Sequence, residues 1–431
     1  MNRTITLAAL VTTVCNACGG STDGENFQTL WQGEHGQTIL LGAEDNSEVV
    51  KAIPHSEFAV LIASKTRKVT LLSVEGSEMT VVDELVLFAD DSSESELTHI
   101  DFSPDGTYAV ITRTLPNSEN GEQVSCFGEL VFVSMLQETF GEVLSQIDVG
   151  PMPDSVDVSP DGRWVVSADE VDFNDGKCTV EGTVPSISVL SVEEGPNNPL
   201  LLATITMISE SGENLREPEQ IVFGADSDRV VATLQDTHEI ITFSVSEVTA
   251  SGGGEITSED SRVNVSSMPL RSDGAEPWPD GVASFILRDG TSWFIVTGEY
   301  NDTFHLLNDS GEPVYQYEID PSKMPSDLPR NIESWSLAPF RPDSVTTFTM
   351  DTAPDSVFVA ASLKHSGAVG VWDVSDPSAL ALQGVVSVGA SEGGTPETES
   401  TIGTEGIASF DGGVIITANE GESSVSLVVP F

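Results

Sequence analysis

Five carboxylates in this chain recur in one local frame. Asp154 is the second residue of "PDSVDVSPDGRWVVSADE", and Glu219, Asp280, Asp343 and Glu405 take the matching place in the segments starting "PEQIVFG", "PDGVASF", "PDSVTTF" and "TEGIASF". In one more copy, "LTHIDFSPDGTYAVITRT", Thr98 occupies that place and His99 follows it. Acids gathered from separate segments repel, and each raises its neighbours' pKa unless something cationic compensates. If the fold collects them, these residues form a site for a metal ion or a cationic ligand, with His99 at its edge.

Other acids have a plainer reason to be where they are. Asp161, Asp105 and Asp226 sit at the turn inside each copy, where an Asp flanked by turn formers hydrogen-bonds its own backbone. The segment "DEVDFNDGKCTVEG" from Asp169 is dense in oxygen ligands. Glu170, Asp172, Asn174 and Glu181 fall near the spacing of a calcium loop, but its glycine comes one place late, at Gly176, so calcium is a weak expectation there. "GASEG" around Ser391 matches a serine-nucleophile elbow in letters only, because no strand-turn-helix pattern surrounds it. No zinc spacing of Cys and His and no phosphate-cradling glycine loop is present, and no catalytic residue is assigned.

What must position the acids is a repeat. Each copy is an alternating apolar segment, a Pro, Asp or Gly turn and a second β-branched segment, which is a hairpin pattern. A weaker first copy starts at Glu48, "EVVKAIPHSEFAVLIAS". Third strands follow at Lys68, Glu129, Ser186, Glu239, Thr303, Ala368 and Ser424, and fourth strands are expected after six of these. Units of about 50 residues repeated in this way predict an all-β fold, a single seven-bladed β-propeller of four-stranded antiparallel blades. The last copy stops after three strands, so the segment from Gln37 is expected to close the last blade. Strand-start acids and the loops joining second to third strands then share one face. Cys126 and Cys178 lie in such loops on adjacent blades, which predicts a disulfide between them.

The 431 residues carry 69 acidic against 17 basic side chains, a net charge of −52. That balance excludes nucleic acid and anionic membrane surface as partners, since both need a basic footprint. The N-terminus, "MNRTITLAALVTTVCNACGGSTDGENF", has a cation, an apolar run and then Cys18 among small residues. It is similar to a bacterial lipoprotein signal: residues 1–17 would be removed, Cys18 lipidated, and residues 18–36 would tether a propeller spanning 37–431.

The frames around "PMPDSVDVSPDGRWVVSADE", "REPEQIVFGADSDRVVATLQD", "PWPDGVASF" with "IVTGEYND", "GAVGVWDVSDPSA" and "TEGIASF" with "TANEGESS" resemble the choice-of-anchor I domain. These are exported bacterial propellers related to the lactonase-like and YVTN propellers, and the likeness runs over roughly residues 45–431. It implies the fold and an extracellular or cell-envelope setting, at the outer membrane, the cell surface or otherwise the periplasm, but no particular reaction. The expected function is that of a surface-tethered monomer acting as a binding module for a protein or a small cationic or neutral ligand. Calcium is the cofactor expected if any, and the membrane is met only through the lipid anchor. The alternative is a metal-dependent hydrolase of the lactonase-like or phytase-like propeller type.

Overall fold

The alternating segments pair as hairpins because each presents one β-branched face to either neighbouring blade, and the structure, a computed structural model, shows seven sheets arranged as a propeller. It describes residues 30–42, 47–89, 95–119, 122–171, 183–208, 216–250, 252–329, 338–389 and 400–431. The innermost strands of blades one to seven are Ser47–Ala52, Glu96–Phe102, Pro153–Val158, Pro218–Phe223, Pro279–Ile286, Pro342–Met350 and Thr404–Ser409. Among the described residues the core consists of seven apolar clusters, one in each seam between adjacent blades. Among the described residues no helix is long and apolar enough to cross a membrane.

The N-terminal strand, Gly33–Leu40, pairs antiparallel with Ser424–Pro430 and completes the seventh blade. It begins before the expected boundary at Gln37, and Trp31 ahead of it is buried, so the last residues assigned to a tether belong to the folded body. A second difference lies in blade three, which has a fifth strand. Gly254–Thr257, reaching over from blade four after the short helix Val245–Thr249, pairs parallel with Leu200–Thr206. The approach requires glycine: a Cβ on Gly253, at φ +70°, would sit 1.7 Å from the carbonyl oxygen of Leu202. This strand covers the outer edge of blade three, which would otherwise expose unpaired backbone.

The turn acids act on backbone. Asp161 Oδ1 accepts from Ser159 Oγ at 2.8 Å and from the Arg163 N–H at 3.1 Å, and Asp105 Oδ1 accepts equivalently from Ser103 Oγ and the Thr107 N–H. Asp226 Oδ1 takes the N–H groups of Asp228 and Arg229. Cys126, on strand Glu122–Ser134, is disulfide-bonded. Cys178 lies outside the described residues, as do Cys18, Asp172, Asn174, Glu181 and Ser391.

Candidate functional site at the channel mouth

Every innermost strand carries a register shift at its first two or three residues, at Ser47/Val49, Leu97/Ile100, Pro153/Ser155, Pro218/Ile221, Pro279/Val282, Pro342/Val345 and Thr404/Ile407. A bulge of this kind turns side chains out of the regular alternation. Among the described residues, the one before the strand is left-handed in four blades: Met152 at φ +41°, Trp278 at +46°, Arg341 at +55° and Gly403 at +59°. For the three with side chains this conformation costs of order 1–3 kcal/mol each. The carbonyls of these residues accept the N–H of Glu170, Glu299, Lys364 and Glu420 at 2.9–3.1 Å. One turn thus fixes two positions per blade, the acid at the start of the inner strand and the residue just after the second strand.

All five sequence-derived acids, Asp154, Glu219, Asp280, Asp343 and Glu405, line one cavity of about 300 Å³ at the channel mouth. Glu48 lines it too and completes the set in blade one. Thr98 holds the blade-two position and donates through Oγ1 to the Pro153 carbonyl. His99 also lines the cavity, but it is buried and its Nδ1 accepts the Val156 N–H at 3.3 Å. Burial, then the Lys51 charge, pushes its pKa down to about 3, so it is neutral. The residues missed in sequence are those after the second strand, notably Gln235, Glu299 and Lys364, together with Tyr300 and Arg341. Glu170, taken from sequence as part of a calcium loop, belongs to this same position and stands with Asp154 and Glu219.

The mouth has two unlike halves. In blades five to seven, Asp280, Glu299 and Asp343 bring carboxylate oxygens within 4.8 Å of one another. Their charge is met by protein cations: Arg341 Nε donates to Glu299 at 2.6 Å, and Lys364 Nζ lies 3.6 Å from Asp343 and in contact with Glu405. Arg341 also stacks over the Tyr300 ring at 4.6 Å. In blades three and four, Asp154, Glu170 and Glu219 come within the same 4.8 Å. Burial, and next the charges of Glu170 and Asp154, push Glu219 well above the usual carboxylate range. Asp280 is likewise raised well above that range, by burial and then by Asp343. Burial followed by Asp343 brings Glu299 up to about 7. Oxygens 4.8 Å apart span a hard cation bound at about 2.3–2.6 Å, so either trio has the dimensions of an oxygen cage.

Below the mouth, Asp101 and Asp157 stitch the blades together. Asp101 Oδ2 accepts the Val158 N–H at 2.8 Å and Asp157 Oδ2 the Phe223 N–H at 2.7 Å, each across a seam. Lys51 lies 3.8 Å from Asp101.

Residues 48–217 match the choice-of-anchor I domain. That choice-of-anchor I stretch covers blades one to three, including Glu48, Asp154 and Glu170. No curated protein sequence matches the chain. Among solved structures, virginiamycin B lyase from Staphylococcus aureus superposes with a TM-score of 0.55 at 14% identity, covering 91% of this chain and 98% of that one. Hydrazine synthase from Kuenenia stuttgartiensis does so with a TM-score of 0.55 at 12% identity, covering 90% and 96%. At such identities the likeness establishes the propeller and nothing about chemistry.

Proposed function

We propose that this protein is an exported, surface-associated propeller acting as a binding module, and that it takes a cation at its acidic channel mouth. The observation that carries the proposal is the division of that mouth. Arg341 and Lys364 offset part of the charge of the half built by blades five to seven, whereas the strongest charges acting on Glu219 are the carboxylates Glu170, Asp154, Asp280 and Glu299. Ionised acids held this close are stabilised by a cation between them. A hard divalent ion, calcium first, suits three carboxylates drawn from three strand ends. Surface association is supported by the choice-of-anchor I match and by the signal-like N-terminus.

Calorimetric titration with calcium chloride at fixed ionic strength tests this. The wild type is expected to bind, the Asp154→Asn/Glu219→Gln pair to bind at least about tenfold more weakly, and Asp161→Asn, a turn acid on the opposite face, to match the wild type. A parallel titration with spermidine separates a metal ion from an organic cation. Absence of binding to either, or an unchanged affinity in the double variant, overturns the proposal. Turnover of a lactone or phosphoester by the metal-loaded protein would make the site a hydrolase, with the ion activating water.

We also propose that Cys126 pairs with Cys178 across the second and third blades. Closing about fifty residues contributes on the order of 4 kcal/mol in the chain-entropy picture. Non-reducing peptide mapping of the exported protein is expected to recover the linked pair, and two free thiols would contradict it.

A further inference from the structure

A second concavity, of about 370 Å³, lies on the face opposite the channel mouth, at the foot of the seam between blades five and six. Its blade-five wall holds Trp293 and Tyr315, from strands Ser292–Gly298 and Pro313–Glu318. Their rings are nearly parallel, 25° apart with centroids at 6.1 Å, and Tyr315 remains 36% exposed. Facing them is the turn of blade six around Asp376, held against blade five by the Tyr317 hydroxyl, which donates to the Pro377 carbonyl at 2.7 Å.

Two carboxylates of the cleft are acceptors at fixed places. Asp289 Oδ1 takes the Thr291 N–H and Oγ1 at 2.9 and 2.6 Å, and Asp376 Oδ1 takes the Ser378 N–H and Oγ at 2.9 and 2.7 Å. These bonds, from Thr291 and Ser378, hold both acids below the usual carboxylate range, so they are ionised at neutral pH. Independently, the Ser292 hydroxyl in the cleft wall is buried and has no hydrogen-bond partner among the described residues. A buried hydroxyl without a protein partner is costly unless something else satisfies it.

We infer that this cleft binds a neutral saccharide. Flat, partly exposed aromatic faces accept the C–H face of a sugar ring, while the acids accept its hydroxyl hydrogens and Ser292 Oγ meets a further hydroxyl. Anionic ligands are disfavoured, because among the described residues no cation lines the cleft, and its carboxylates are charged. The site shares no residue with the channel mouth, so it stands or falls separately from the cation proposal.

Neutral gluco-, manno-, galacto- and chito-oligosaccharides, titrated by tryptophan fluorescence and by saturation-transfer NMR, are the probes. At least one is expected to bind the full-length protein. Tyr315→Ala, at an exposed position, is expected to weaken it by at least about tenfold, and Ser378→Tyr, which fills the cleft from the other wall, to abolish it. The Asp154→Asn/Glu219→Gln pair should leave it unchanged, and thermal melts confirm that each variant is folded. The inference is overturned if no member of the panel binds up to about 10 mM, or if binding persists in folded Tyr315→Ala and Ser378→Tyr proteins.

Discussion

Deleting residues 1–42 is expected to lower the melting temperature by more than about 15 °C or to abolish cooperative unfolding. The closing strand ties three blades together. It pairs along Ser424–Pro430 in blade seven, with Thr38 Oγ1 2.8 Å from Ser426 Oγ. Gln37 Oε1 accepts the Met79 N–H of blade one at 2.7 Å, and the Leu30 N–H reaches Gln383 Oε1 of blade six at 2.8 Å. Without it, the buried Ser424–Pro430 strand becomes an open apolar edge, which invites pairing with another chain. Trp31 supplies much of the packing. It is 1% exposed and its ring lies over Gly33 and Gly384, where a Cβ would come within 2.4 and 3.1 Å of ring atoms. Trp31→Ala alone is expected to cost about 3–5 kcal/mol, or roughly 4–6 °C for a chain of this size. Differential scanning calorimetry of both variants checks this, and a deletion protein melting within about 3 °C of wild type would show that the ring closes elsewhere.

Much of this architecture was legible because strand period, turn residues and repeat length agree with one another. Pro153 and its counterparts mark where inner strands begin, and the acids follow them directly. Glu48 escaped notice because blade one has Ser47 where the other blades have Pro, Leu or Thr, although the pairing of Ser47 with Ala63 matches that of Pro153 with Asp169. The second set of mouth residues could have been found from their shared place one residue past the second strand, as in "TGE" for Glu299 and "SLK" for Lys364. Their inward placement depends on the left-handed turn before the inner strand. Met152, Trp278 and Arg341 give no local sign of that conformation, since tertiary contacts and not glycine impose it. Gly254–Thr257 was invisible for a related reason: a short glycine-rich segment pairs only because an edge is present beside it. The saccharide cleft has no sequence signature either, since Trp293 and Tyr315 read as ordinary strand aromatics until two blades are set side by side.

Asp169 provides the second large effect, a contribution to stability whose sign with pH can be worked out. Its buried carboxylate accepts from Ser188 Oγ at 2.6 Å, Ser167 Oγ at 2.7 Å, Ser186 Oγ at 3.0 Å and the Gly150 N–H at 3.2 Å. Burial outweighs these bonds and pushes its pKa up to about 7 from 3.8. Burial also brings Asp302 up to about 7, as it does Glu299. A raised folded-state pKa means that the native protein holds the proton more tightly than the unfolded chain. Stability from such groups is therefore fully present below about pH 4, falls as the pH rises toward 7, and is flat above it. For Asp169 the loss is at most about 4 kcal/mol. Blade seven solves the same problem without a charge: Asn419 takes the equivalent position, paired with Thr404 and Ser424 as Asp169 is with Pro153 and Ser186. It accepts from Thr404 and Thr417 Oγ1 and donates to Ser424 and Ser426 Oγ. Asp169→Asn is accordingly expected to melt about 3–5 °C above wild type at pH 8 and near it at pH 5. The reciprocal Asn419→Asp should melt below wild type at pH 8 by a similar amount, since it installs a buried ionisable group in a site built for an amide. Melting curves from pH 5 to 8 for the three proteins decide the matter: parallel profiles for wild type and Asp169→Asn would mean that Asp169 ionises in the folded protein at little cost.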